Sequence, residues 1–204
     1  MKRWVLAGCI HLLLIGSALA GTAEALKALE RGDGATAVRE LTPEGHRGDP
    51  DACERLGDIH ADGLGGVAKD GFAARDWYFQ AARRGQPESQ YKLAQLYAEG
   101  KGIGRDPRRA EDWFTAAARQ RHARAQLSLG KMYLDRGYDP VRKMMRPYDA
   151  ANAYYWLMLA EHFAKDDSVR TDATTTRQRL APMMPKDTAP GIEQSVRMML
   201  SGQR

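Results

Sequence analysis

The chain has 204 residues, of which 43% are hydrophobic and 28% charged, with a formal net charge of +5 and only two cysteines. That length suffices for one elongated core rather than for two globular domains. The mild basic balance gives no argument for nucleic acid as a partner, and the cysteine count excludes a disulfide framework.

Met1 to Ala20 begins with Lys2 and Arg3, continues with WVLAGCIHLLLIGSALA and ends in the small-x-small triplet Ala18-Leu19-Ala20. This is the pattern of a secretory signal peptide with cleavage after Ala20. Two alternatives stay open. Leu6-Ala7-Gly8-Cys9 is spelled like a lipoprotein box, although few apolar residues separate it from Arg3. An uncleaved anchor would have to use a run at the short end for a bilayer span, interrupted by His11. Cleavage would remove Lys2, Arg3 and Cys9, leaving a net charge of +3 and Cys53 as the one remaining thiol.

Residues 21–49 follow as a capping hairpin. TAEALKALERGDGATAVRELTPEG carries helical alanine and leucine positions around an Arg-Gly-Asp-Gly break. The triplet Arg31-Gly32-Asp33 is explained by a glycine-terminated helix better than by an adhesion motif.

From residue 50 the sequence repeats itself. Ser89 to Arg119 reads as two short helices joined by a glycine-rich turn, with Leu93, Leu96 and Tyr97 on one face of the first helix and Ala110, Trp113, Phe114 and Ala117 on one face of the second. Asp106 is placed to cap the second helix, with Pro107 at its first position. Asp70, Asp106 and Asp149 each precede a tryptophan by seven residues, Trp77, Trp113 and Trp156, and each tryptophan has alanines at matching positions on both sides. Leu56, Leu93 and Leu129 are each followed by a small residue and, after four residues, by His60, Tyr97 or Tyr133. The spacing from leucine to tryptophan is 21, 20 and 27 residues, so the third copy has gained seven before Asp149. A period of roughly 36 residues with paired large and small positions means stacked helix hairpins, none of which buries its apolar stripe alone.

The pattern A-x-x-x-L-G-x-x-Y, then G-x-G-V/I-x-x-D, then A-x-x-W-Y/F-x-x-A-A resembles the Sel-one-like repeats, relatives of the tetratricopeptide repeats. It covers residues 50–164 as three units of about 50–86, 87–122 and 123–164, and the third lacks the G-x-G-V element. The resemblance implies an all-α, right-handed superhelical solenoid of stacked antiparallel hairpins. Residues 165–204 then cap its far end. Similar proteins scaffold bacterial envelope complexes, which implies an adaptor binding a protein partner. Some cysteine-rich members are linked to penicillin binding or hydrolysis, but this chain lacks their cysteine pairs. The alternative reading is an enzyme or ligand-binding protein acting on β-lactams or cell-wall fragments.

Residues for chemistry are sparse. The histidines are scattered without a His-Glu-x-x-His, and Gly100 to Gly104 lacks the Gly-Lys-Ser/Thr ending and follows a helix, so no catalytic, metal or cofactor residue is named. By analogy with tetratricopeptide grooves, the partner-facing positions are Glu54 and Asp58, Tyr91 and Gln95, and Leu127 and Lys131. The long third turn adds Arg142, Lys143 and Arg146 around Met144 and Met145, a basic loop with an apolar tip suited to an acidic partner or a membrane surface. The paired methionines, Met144-Met145, Met183-Met184 and Met198-Met199, are expected to fill core gaps. The overall expectation is a periplasmic, non-catalytic adaptor; its oligomeric state and the identity of its partner are not written in the sequence.

Overall fold

A computed structural model describes residues 21–141, 144–185 and 187–202. The signal-peptide reading of residues 1–20 and the basic residues Arg142 and Lys143 lie outside the described residues. The chain divides into two compact units, Met1–Arg105 and Asp106–Arg204. Both are built from antiparallel helix hairpins.

The first unit holds α1 (residues 21–30), α2 (Gly34–Arg47), α3 (Pro50–Asp62), α4 (Gly71–Ala82) and α5 (Pro87–Glu99). From α2 onward, each helix packs on the next. The Arg31-Gly32-Asp33 segment is a helix stop and start: Gly32 takes φ +77°, and the Asp33 carboxylate accepts from the Thr36 N–H. Ala25, Ala28, Ala37 and Leu41 of this first hairpin are buried in one cluster with Ala52, Leu56 and Ile59 of α3, so the hairpin covers the apolar flank of the first repeat. Helix α2 runs two residues past the expected Gly45, through His46 and Arg47, before Gly48 ends it at φ +89°.

The same punctuation recurs along the chain. Asp49 accepts from the Ala52 N–H at 2.7 Å with Pro50 at the first helical position, and Asp70 accepts from the N–H groups of Phe72 and Ala73. In the second unit Asp106 does the same for Arg108 and Arg109 ahead of Pro107. Each such cap contributes about 1 kcal/mol, which matters for helices of only three or four turns.

The second unit holds α6 (Pro107–Arg119), α7 (Ala123–Gly137), α8 (Pro147–Phe163), α9 (Asp167–Leu180) and α10 (Thr188–Leu200). Helix α7 packs on α6, α8 and α9, and α8 packs on α9 and α10. The longer turn of the third copy carries two short antiparallel strands, β1 (Tyr138–Asp139) and β2 (Met144–Met145), with Tyr138 opposite Met145.

Leu56, Leu93 and Leu129 are fully buried, as are the paired alanines of each second helix, Ala74 and Ala81, Ala110 and Ala117, Ala153 and Ala160. Burying each leucine is worth about 1.5–3 kcal/mol. The tryptophans lie at the edge of the buried face. All three are half-buried, and the residue after each goes into the core: Tyr78, Phe114 and Leu157. The small residue after each first-helix leucine makes room for it. A β-carbon on Gly57 would meet the Tyr78 ring at 2.4 Å, and one on Gly130 would meet Leu157 Cγ at 2.6 Å.

A second recurring device ties each repeat to the turn before it. The residue three before the buried leucine is Cys53, Gln90 or Gln126, all buried. Cys53 Sγ lies 3.5 Å from the Gly45 carbonyl, while the Gln90 and Gln126 amides donate to the carbonyls of Ala82 and Ala118 at 3.1 and 3.0 Å. Each pair is separated by eight residues. Burial raises the pKa of the Cys53 thiol, and only the neighbouring Arg84 pulls it back.

Two expectations fail in the second unit. Asp149 is not a cap like Asp70 and Asp106: α8 begins at Pro147, so Asp149 sits in its first turn, 4% exposed, held by Arg136 and Arg146. The extra loop lets the helix start earlier and turns the equivalent carboxylate inward. The methionine pairs also split. Met145 and Met184 fill gaps, whereas Met144, Met198 and Met199 are about half exposed.

Candidate partner-binding surface

In the first unit the face of α3 that carries Glu54 and Asp58 is joined to α5 by one lysine. Lys92 Nζ lies 2.9 Å from Glu54 Oε1 and 2.8 and 2.9 Å from the two Asp58 oxygens. The Ser89 hydroxyl donates to Glu54 at 2.8 Å, and the Tyr78 hydroxyl donates to Asp58 at 2.7 Å. Burial works against the Lys92 ammonium, but the hydrogen bonds to Asp58 and Glu54 outweigh it and hold the pKa above its ordinary value. The Tyr78 phenol is also pushed up, first by burial and then by donation to Asp58. Glu54 and Asp58 therefore spend much of their hydrogen-bonding capacity on stacking one first helix against the next.

Beside this network lies a cleft of about 500 Å³ whose polar lining includes Asp58, Asp62, Lys69, Gln95 and Lys101. Among the described residues, the side chains of Asp62, Lys69 and Gln95 make no hydrogen bond or ion pair, so their donors and acceptors face solvent. The structure brings Glu54, Asp58 and Gln95 to one surface. Tyr91 is half-buried on α5 and does not line the cleft.

The remaining expected positions lie in the second unit and are different in kind. Leu127 is 9% exposed, a core residue rather than a surface contact. Leu127 and Leu129 lie about 200° apart around α7, and both are buried because α7 is packed on α6, α8 and α9. Lys131 Nζ pairs with Asp172 Oδ2 of α9 at 2.5 Å, so the capping helix has claimed it. Arg146 is exposed but bonded to the Arg136 carbonyl and to Asp149. Arg136 also reaches Glu111, which accepts from the Tyr133 hydroxyl at 2.7 Å. Burial and that hydrogen bond push the Tyr133 phenol up to about 12.

Among the described residues no group of three or more histidine, cysteine or acidic side chains could hold a metal ion, and no helix is long and apolar enough to cross a membrane. What recurs instead is the hairpin with its buried leucine, small neighbour and paired alanines. The Sel1 repeat model matches residues 50–86, 87–122 and 123–160. The chain belongs to the Sel1 repeat family.

Solved Sel1 repeat structures show the same fold. A Sel1 repeat protein from Oxalobacter formigenes is 25% identical with a TM-score of 0.59, over 78% of this chain and 58% of that one. A protective antigen present in uropathogenic Escherichia coli strains, which displays an SLR fold, is 20% identical with a TM-score of 0.50, over 87% of this chain and 44% of that one. The chain thus spans about half the length of these two relatives. No curated protein matches it. Sel1 repeats are in general protein-interaction scaffolds, and this all-α chain of stacked hairpins has their architecture.

The residue the sequence reading passed over is Lys92. It stands just before the buried Leu93, a slot held by Arg55 in the first copy and by Ser128 in the third, so the repeat pattern does not mark it.

Proposed function

We propose that this Sel1 repeat chain is an exported, non-catalytic adaptor of the bacterial envelope that holds a protein partner on the first-helix face of its N-terminal unit. The observation that carries this reading is the cleft beside α3 and α5. It presents an acid, an ammonium and a side-chain amide, Asp62, Lys69 and Gln95, that no internal partner occupies. An amide beside opposite charges suits the backbone and polar side chains of another chain. The rigid α3–Lys92–α5 network behind it fixes their spacing in advance, which lowers the ordering cost of association. The basic start and apolar run of residues 1–20 support export.

A photo-crosslinking residue at Gln95 in intact cells tests this. It should attach one envelope protein, while the same group at exposed Asp112 should not. No adduct at Gln95, or the same adducts at both positions, would reject the adaptor surface.

A further inference from the structure

The second unit contains a crevice that the repeat pattern does not account for. It has a volume of about 690 Å³, in the range of sites that enclose small ligands or a few side chains. Its floor is apolar: Leu180 is fully buried, with Leu134 and Met183 half-buried beside it. Tyr138 stands at the edge, 40% exposed. Two ionic side chains, Asp135 and Arg179, line the same crevice. Arg136, Arg146, Arg170, Arg177 and Arg197 of this unit each reach a carboxylate. Among the described residues, Arg179 and Asp135 make no ion pair or side-chain hydrogen bond, with each other or with anything else.

The crevice is also made of the parts that depart from the repeat. Tyr138 belongs to the inserted β-hairpin, and Arg179 to Met183 belong to the end of the capping helix and the 3₁₀ turn after it. Helix α7 alone contributes repeat residues, Leu134 and Asp135. The site is therefore built mostly from residues outside the repeat pattern, and it is separate from the cleft in the first unit.

We infer that this crevice binds an apolar peptide segment bearing a carboxylate, presented by another protein. The apolar floor takes the side chains. The free guanidinium of Arg179, a planar fork of donors with no internal acceptor, takes the carboxylate in a bidentate grip. Asp135 is an acceptor only, and an extended peptide offers it backbone N–H groups. A simple fatty acid has nothing to donate to Asp135, so the pair of opposite charges favours a peptide over a lipid. Tyr138 adds a ring with a polar tip, a common anchor where a surface is half wet.

Fluorescence anisotropy with the full chain and four labelled probes tests the assignment. The first is a blocked peptide of leucine and phenylalanine with one internal glutamate, and the second replaces that glutamate with glutamine. The third is the glutamine peptide with a free C-terminal carboxylate, and the fourth is a labelled C12 fatty acid. At least one carboxylate-bearing peptide should bind ten-fold or more tighter than the blocked glutamine peptide, and the first and third arms tell a side-chain carboxylate from a chain end. Arg179→Gln should abolish that preference while leaving the helical circular dichroism unchanged, because Arg179 is exposed. Asp135→Asn should weaken both peptides alike. Equal affinity for acidic and neutral peptides, binding of the fatty acid without the peptides, or a preference that survives Arg179→Gln would each overturn the inference. Loss of crosslinking at Gln95 would leave it untouched.

Discussion

Gly57→Ala puts the smallest possible side chain into α3 and should nevertheless be costly. Alanine is the better helix former by about 1 kcal/mol, so on propensity alone the change would stabilise. The new β-carbon, however, would stand 2.4 Å from two atoms of the Tyr78 ring and 3.0 Å from a third. The ring cannot swing away freely: it is 4% exposed, and its hydroxyl is held by Asp58, which is itself held by Lys92. Overpacking costs about 1–3 kcal/mol, and straining a hydrogen bond to a charged acceptor adds about 1.5–3 kcal/mol. After the gain in propensity, the net loss is about 1.5–5 kcal/mol, or roughly 3–20 °C in melting temperature for a chain of this size. Gly191→Ala is the control. It lies inside α10 with nothing within 4 Å of the added carbon, and should raise stability by up to about 1 kcal/mol. Thermal melts followed by circular dichroism decide the matter. If the two glycines respond alike, or Gly57→Ala melts at or above the parent, the size-pairing argument is wrong.

Asp149→Ala should remove about 1.5–3 kcal/mol, because it strips Arg136 and Arg146 of a shared buried carboxylate; chemical denaturation measures it, and an unchanged midpoint would show that solvent already screens the pair. Stability should fall at alkaline pH. Tyr133 holds its proton to about 12 in the folded chain, against about 10 when unfolded, so its contribution is complete below about pH 10 and is lost as pH rises through about 12. Lys92 acts in the same direction, since its folded pKa is raised; its contribution is present below about 10.4 and lost as pH climbs through the folded value. Cys53 acts the same way from a lower starting point, since burial raises its thiol above the ordinary value of 9.0; the urea midpoint should therefore be flat from neutrality to about pH 8 and fall beyond it, more gently above about pH 10 in Tyr133→Phe, and a fall beginning near neutrality would contradict these assignments.

The hairpin architecture was legible because its determinants are local: a leucine beside a small residue, alanines at helical spacing, and aspartate or proline at helix starts. Trp113 and Phe114 were placed on one face without ranking them, and the structure buries Phe114 more deeply. A large ring at the edge of an apolar stripe and one at its centre give the same periodicity, and only packing separates them. Asp149 misled for a related reason, since seven added residues reset the helix start and spacing from the tryptophan no longer marked the cap. Leu127 was indistinguishable from a groove position by repeat arithmetic alone. The pairing of Glu54 and Asp58 with Lys92 joins residues 34 and 38 apart, beyond the reach of any helical spacing. The crevice around Arg179 depends on where an insertion and a capping helix come to lie, which no repeat pattern encodes.

Cys53 occupies the slot that glutamine fills in the next two repeats, and it does so with full exclusion from solvent. Its sulfur becomes accessible only when α3 parts from the end of α2. The rate at which an alkylating reagent modifies this position, followed by peptide mass, is thus a native clock for the opening of the first repeat. It needs no engineered label, and running it with and without a bound partner would show how far occupancy of the neighbouring cleft locks that joint.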